Sequence, residues 1–217
     1  MLEVFRDWEI RNSDRSKLDN FVSRLAKGLP SGWTRDKGRE KELAGHSGKG
    51  ALVVFRIDPT TGLPPARLYL SHDPTVLKVT NIVPQETGEL TRFQYNSILL
   101  RFQSIAEPFA ANLGLDINLT SDQENVSDLM TARAMKALRT FSAAANKSTG
   151  ASHPLDHARW LKFLILAHMD GADLDPETLT RWLIEEDEWY EDQAVKLAIS
   201  YEFARGLLAE YDKSKSE

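Results

Sequence analysis

The hydrophobic pattern changes once along the chain, near residue 120, and this change limits the folds that are possible. Before it, segments that alternate apolar and polar residues are interspersed with segments of helical period; after it, every periodic segment is helical. No internal repeat or heptad run is visible, which excludes solenoids and coiled coils. We therefore predict an α+β protein, with a small antiparallel sheet and two covering helices in residues 1–120 and four helices in residues 121–217.

Turn and cap signals place the elements of the first part. Turn residues at 58–62 and 73–74 separate three strand-like runs, which predicts an antiparallel meander. Thr91 and Gln94 form a capping box that predicts the start of a long helix. The polar segment 33–50 contains several glycines and is predicted to be a strand end followed by a loop.

The second part carries four helix signals. Ser121 and Glu124 suggest a capping box for its first helix, and Pro154 suits the first position of the second. Asp175 precedes a proline that opens the third helix, and the last helix is predicted over residues 188–211.

Cysteine is absent from the 217 residues. This absence excludes disulfides, thiolate-bound metals and a cysteine nucleophile. The longest apolar segment, residues 160–169, is interrupted by Lys162 and His168 and is too short to cross a bilayer. The first residues are acidic where an export signal is basic. We therefore expect a cytoplasmic protein that does not contact a membrane.

The charge is distributed unevenly. Residues 151–217 hold 7 Lys and Arg residues against 15 Asp and Glu residues, whereas residues 1–50 hold 11 against 8. An acidic region repels phosphate backbones and attracts basic partners. Nucleic-acid binding is therefore expected, if anywhere, in residues 33–49, where basic side chains follow an aromatic one: Trp33, Arg35, Lys37, Arg39 and Lys41. Acidic neighbours dilute this charge, which favours a solvated loop.

The segment 146–157 is the densest group of polar side chains and links two predicted helices. Because a helix N-terminus favours anions, it is a candidate phosphate or carboxylate site. The candidate ligand-binding residues are Asn146, Lys147, Ser148, Thr149, Ser152 and Arg159. The candidate catalytic residues, for proton transfer and its orientation, are Lys147, His153, Asp156 and His157. The alternative is a connector in which Ser152 or His153 caps the next helix.

No metal or cofactor is expected. His153 and His157 are four residues apart, but Pro154 places His153 outside the helical turn, so the two rings do not share a face.

Acidic and aromatic residues are interleaved around the start of the last predicted helix. They are Trp182, Glu185, Glu186, Glu188, Trp189 and Tyr190. Aromatic side chains supply contact area and carboxylates steer a basic partner, so this segment is a candidate docking surface. The alternative is that the carboxylates only interact with the positive end of the helix dipole.

These observations lead to two functional hypotheses. The first is a non-enzymatic bacterial protein-interaction module of the antitoxin, immunity or defence-accessory type, which binds a basic protein through its acidic C-terminal helices. The alternative is an enzyme or ligand-binding protein that acts on a phosphate-bearing substrate, a nucleotide or RNA, at the 146–157 loop. Whether the protein is an enzyme stays open at this point.

Overall fold

The computed structural model describes residues 1–44, 51–60 and 62–216, with every side chain in these ranges except that of Ser216. The strands in these ranges are β1 (Leu2–Glu3), β2 (Trp8–Arg11), β3 (Trp33–Arg35), β4 (Ala51–Ile57), β5 (Ala66–His72), β6 (Val76–Pro84), β7 (Ile117–Leu119) and β8 (Gln123–Glu124). The α-helices are α1 (Arg15–Lys27), α2 (Lys37–Ala44), α3 (Arg92–Ala111), α4 (Ala132–Ala144), α5 (Pro154–Met169), α6 (Pro176–Glu185) and α7 (Glu191–Ser216). The predicted α+β class is confirmed. None of the helices in these ranges is long and apolar enough to cross a membrane.

The chain divides into two compact units. The sheet unit is Val4–Asp122, and the helical unit combines Met1–Glu3 with Gln123–Glu217. The sheet unit is therefore an insertion in the sequence of the helical unit. Its two ends are adjacent, because the Val4 backbone N–H donates to the Asp122 carbonyl oxygen at 2.9 Å.

The sheet unit contains a six-stranded antiparallel sheet in the order β3-β4-β5-β6-β2-β7. Strands β4, β5 and β6 form the meander that the turn residues predict. Helices α1 and α3 share one hydrophobic core with the sheet. Phe102 of α3 lies among aromatic side chains of the strands, with ring centroids 5.0 Å from Trp8, 6.0 Å from Trp33 and 5.7 Å from Phe55.

The capping box predicted at the start of α3 is present. The Gln94 backbone N–H donates to Thr91 Oγ1 at 3.2 Å, and the Thr91 backbone N–H donates to Gln94 Oε1 at 3.0 Å. Two donors that the helix leaves unpaired are thereby satisfied by side chains.

Helix α2 lies where the sequence predicted a loop, so that prediction is wrong for residues 37–44. The helix buries no residue, and therefore has no apolar stripe that a periodicity argument could detect. Polar contacts with residues of β3 and β4 hold it instead. Glu40 pairs with Arg35 at 2.8 Å and accepts the Val54 backbone N–H at 3.0 Å.

The capping box predicted at Ser121 and Glu124 is also wrong. Gln123 and Glu124 form β8, which pairs antiparallel with β1, and α4 begins later with Thr131 as its N-cap. The partner strand lies about 120 residues earlier in the chain, so local sequence carries no sign of this pairing.

The helical unit is built around stacked aromatic side chains. The Phe141 ring centroid lies 4.9 Å from that of Trp160 and 5.4 Å from that of Trp189, and Phe163 stacks on Tyr201 at 5.8 Å. The four predicted helices α4 to α7 all contribute to this core. Leu2 of β1 is buried among them, which ties the beginning of the sequence to the helices.

Asp170 connects the end of α5 to the start of α4. Its carboxylate accepts two hydrogen bonds from Arg133 Nε, at 2.9 and 2.8 Å, and one from the Thr131 hydroxyl. These bonds, those from Arg133 first, lower the pKa of Asp170 to about 2. The carboxylate is thus stabilised although it caps a helix C-terminus, where the dipole disfavours an anion.

Candidate functional site

The polar side chains at the start of the 146–157 loop form hydrogen bonds within the loop and to the segment after α6. Asn146 Oδ1 accepts from the Ser148 backbone N–H at 2.9 Å and from the Ser148 hydroxyl at 2.7 Å. Lys147 Nζ donates to the backbone oxygen of Asp187, and the Thr149 backbone N–H donates to the Asn146 carbonyl oxygen. The Asn146 contacts fold residues 146–150 as a turn, and the Lys147 contact joins this turn to residue 187.

His153 is the N-cap of α5. Its Nδ1 accepts the Leu155 backbone N–H at 3.3 Å, and Pro154 occupies the first turn of the helix. Ser152 is exposed and makes no cap, so of the two capping residues considered above the structure selects His153.

The other candidate catalytic side chains point to different surroundings. Asp156 is buried and pairs with Arg159 at 2.6 Å, whereas His157 is exposed on α5. The described residues contain no group of three His, Asp or Glu side chains placed to hold a metal ion.

Replacement of His153 by alanine distinguishes a cap from a site. We expect His153→Ala to lower the free energy of unfolding by about 1 kcal/mol, because the Leu155 N–H loses its acceptor. His153→Asp, which restores a capping oxygen, should recover that stability, and Ser152→Ala should leave it unchanged. Urea unfolding followed by circular dichroism measures all three. Equal destabilisation by Ser152→Ala and His153→Ala would contradict the assignment.

The acidic segment lies across a helix junction rather than at the start of one helix. Helix α6 ends at Glu185 with Glu186 as its C-cap, and α7 begins at Glu191. The dipole explanation is therefore wrong for Glu185 and Glu186, which meet the negative end of α6. Cations stabilise them instead: Arg181 pairs with Glu185 at 2.9 Å, and the α-amino group of Met1 pairs with Glu186.

Two of the three aromatic side chains in this segment are buried in the helical core. Trp182 is 5% exposed and Trp189 is 3% exposed. Trp189 Nε1 donates to the Ser142 hydroxyl at 2.6 Å. Tyr190, by contrast, is 62% exposed. The tryptophans thus anchor the segment from inside, and among these three Tyr190 alone can contact a partner.

Backbone contacts fix the segment between the two helices. The Trp189 backbone N–H donates to the Leu183 oxygen at 2.9 Å, and Lys147 holds the Asp187 oxygen. Glu188 adopts a φ of 54°, a left-handed conformation that costs a non-glycine residue free energy. We use the name acidic junction for the exposed side chains held here: Glu185, Glu188, Tyr190, Glu191 and Asp192.

In the basic segment, residues 33–49, fewer side chains are available to contact nucleic acid than the sequence indicates. Arg35 is paired with Glu40 at 2.8 Å and Arg39 with Glu42 at 2.8 Å, while Trp33 is buried and cannot stack on a base. Lys37 and Lys41 are exposed. Residues 45–49 of the proposed nucleic-acid segment lie outside the described residues.

One exposed surface was not predicted from the sequence. On α7, large apolar side chains recur at every fourth position and all are exposed; we call them the α7 stripe: Val195, Ile199, Phe203, Leu207 and Tyr211. The opposite side of the same helix is buried in the core through Ala194, Leu197, Ala198 and Tyr201. The sequence does contain the corresponding pattern, because α7 has apolar residues on two faces. The core covers only one of these faces.

Comparison with known proteins concerns the helical unit. A family model described as "Domain of unknown function (DUF1889)" matches residues 130–206. This range contains α4, α5, α6, the acidic junction and the first part of α7. No curated protein matches the chain, and no solved structure does. The chain is therefore similar to this family over residues 130–206 of the helical unit.

Proposed function

We propose that the protein is an interaction module that binds a basic protein segment through the acidic junction. The observation that carries the proposal is the exposed Tyr190 ring, which lies between carboxylates on both sides in the sequence. A tyrosine supplies a large contact area that also accepts and donates hydrogen bonds. Carboxylates around it attract Lys and Arg side chains and exclude acidic partners.

The fixed backbone of the junction supports this proposal. A surface that is ordered before binding loses less conformational entropy when the partner arrives. The buried Trp182 and Trp189 side chains supply that order, since each is anchored in the core while Glu185, Glu188 and Tyr190 stay exposed.

The charge of the surrounding chain supports a basic partner. Residues 151–217 contain 15 acidic and 7 basic residues, an excess that accelerates the approach of a positively charged protein. A basic toxin or effector would meet this description, so a role of the antitoxin, immunity or defence-accessory type is part of the proposal.

Charge reversal at the junction tests the proposal. Glu188→Lys with Glu191→Lys should remove a basic partner from pull-downs made in nuclease-treated extract of the source organism. With the purified partner, association should be about tenfold slower at low salt, and the difference should shrink as salt is added. Biolayer interferometry measures both effects, and thermal unfolding verifies that the variant is folded.

The matched control is Glu86→Lys with Glu89→Lys. These two residues are also exposed and three positions apart, but lie in the sheet unit. The control changes net charge by the same amount, so a loss seen in both variants would reflect net charge alone and would refute binding at the acidic junction. Retention of the partner by the junction variant would refute it as well.

A further inference from the structure

The α7 stripe is a continuous apolar surface on the side of α7 opposite the core. Its five side chains are 41–70% exposed, with Phe203 the most exposed at 70%. In a helix, residues four apart lie on one face, so the stripe forms a single ridge along the outer side. Helix α5, which is joined to α7 by a hydrogen bond between His168 and Asp212, exposes further apolar residues at the same spacing: Leu161, Ile165 and Met169.

The size of this surface is that of a protein interface. Buried aromatic side chains contribute about 150–250 Å² each, so the stripe offers on the order of 500 Å² per copy. Two copies facing each other would bury about 1,000 Å² from the stripe alone, which reaches the lower end of specific interfaces. Scattered exposed residues on a monomer do not form a patch of this kind.

Charged residues at the two ends of the stripe define the orientation of the partner. Asp192 lies three residues before Val195, and Lys196 lies three residues before Ile199. Glu210 lies three residues after Leu207. Lys213 follows one turn later. Within one copy these residues form two exposed pairs, Lys196 with Asp192 at 3.4 Å and Lys213 with Glu210 at 2.5 Å. Exposed ion pairs of this kind contribute little to the free energy of folding, so their side chains can pair with another copy instead.

We propose that two copies of the protein pair antiparallel through the α7 stripe, with Phe203 opposite Phe203 of the second copy. In this arrangement Lys196 faces Glu210 of the second copy, and Asp192 faces Lys213 of the second copy. A parallel arrangement would instead place each of these charges opposite the same residue of the second copy, where like charges repel. The helix dipoles also favour the antiparallel arrangement.

Gly206 supports close approach at the centre of the pair. It lies three residues after Phe203, and a Cβ atom built on it would meet no atom within 4 Å. Glycine inside a helix lowers stability relative to alanine. In the pair, the missing side chain gives room for the Phe203 ring of the second copy.

This pairing goes beyond the proposed function and uses a different surface, which shares only Asp192 with the acidic junction. Glu188 and Glu191, the residues reversed in the preceding test, are not among the residues that face the second copy. The two proposals therefore fail separately: loss of pairing leaves the acidic junction intact, and charge reversal at the junction leaves pairing intact.

Phe203→Glu tests the apolar contact. Sedimentation velocity of the wild-type protein should show a mass twice the 24.5 kDa of one chain, whereas Phe203→Glu should weaken the dimer more than about 100-fold. Phe93→Glu is the matched control, because Phe93 is 67% exposed on α3 and should leave the dimer unchanged. A wild-type protein that is monomeric at every concentration, or a dimer that survives Phe203→Glu, overturns the proposal.

A charge swap tests the orientation without touching the apolar residues. Lys196→Glu and Glu210→Lys should each weaken the dimer about tenfold, and the double variant should restore wild-type affinity, since opposite charges face each other again. Circular dichroism verifies the helix content of each variant. Double-variant affinity no better than that of the single variants contradicts the antiparallel pairing.

Discussion

Trp189→Ala should lower the free energy of unfolding of the helical unit by about 3–5 kcal/mol. The indole is buried, stacks on Phe141 at 5.4 Å and donates to the Ser142 hydroxyl at 2.6 Å. Its removal leaves a large cavity and a buried hydroxyl without its partner. Hydrogen exchange read on peptides from α4 and α7 measures the loss, because these helices hold the two sides of the cavity.

Variants at two neighbouring residues distinguish the effect of removing a buried ring from that of removing an exposed one. Trp189→Phe keeps an aromatic ring against Phe141 but loses the hydrogen bond to Ser142, so it should cost about 1–3 kcal/mol. Tyr190→Ala, one residue later, removes an exposed ring and should leave stability unchanged. Comparable destabilisation by Tyr190→Ala and Trp189→Ala would show that the junction is not anchored as described.

Leu2→Ala should destabilise the helical unit by about 2–4 kcal/mol, although Leu2 lies at the far end of the sequence from the helices. The side chain is 1% exposed and packs in the helical core. The neighbouring Glu3 carbonyl oxygen accepts from Arg181 at 2.7 Å, which joins β1 to α6. The cavity should raise hydrogen exchange in β8 and α6 first.

Glu3→Ala is the control for this variant, since Glu3 is the exposed residue of β1 beside Leu2 and its side chain is not the group that accepts from Arg181. It should leave both the exchange rates and the urea midpoint unchanged. If Leu2→Ala affected exchange only within the sheet unit, the assignment of β1 to the helical unit would be wrong.

Local signals predicted those elements that are stabilised locally. The capping box at Thr91, the proline that opens α5 and the turns between β4, β5 and β6 all depend on neighbouring residues, and all are present. Helix α2 and the pairing of β1 with β8 depend on contacts distant in sequence. Neither has an apolar period or a turn signal of its own, so neither could be predicted.

The candidate surfaces were predicted less well because exposure depends on tertiary packing. The sequence shows Trp182, Trp189 and Tyr190 within nine residues, but does not show that the first two are buried and the third is exposed. The α7 stripe shows the converse. Phe203 and Leu207 have the composition and spacing of core residues, and only the structure reveals that the core lies on the other side of the helix.

The insertion of the sheet unit sets the order in which the protein can be completed on the ribosome. Strand β1 emerges first, yet its partner β8 follows only after all residues of the sheet unit. The strands of the sheet unit pair with one another, so this unit can fold while α4 to α7 are still being synthesised. Once closed, it holds Val4 beside Asp122. When β8 is synthesised, contacts within the sheet unit have therefore already compensated the entropy of closing a loop of more than 100 residues. Strand β1 can then pair with β8 at little further cost in conformational entropy.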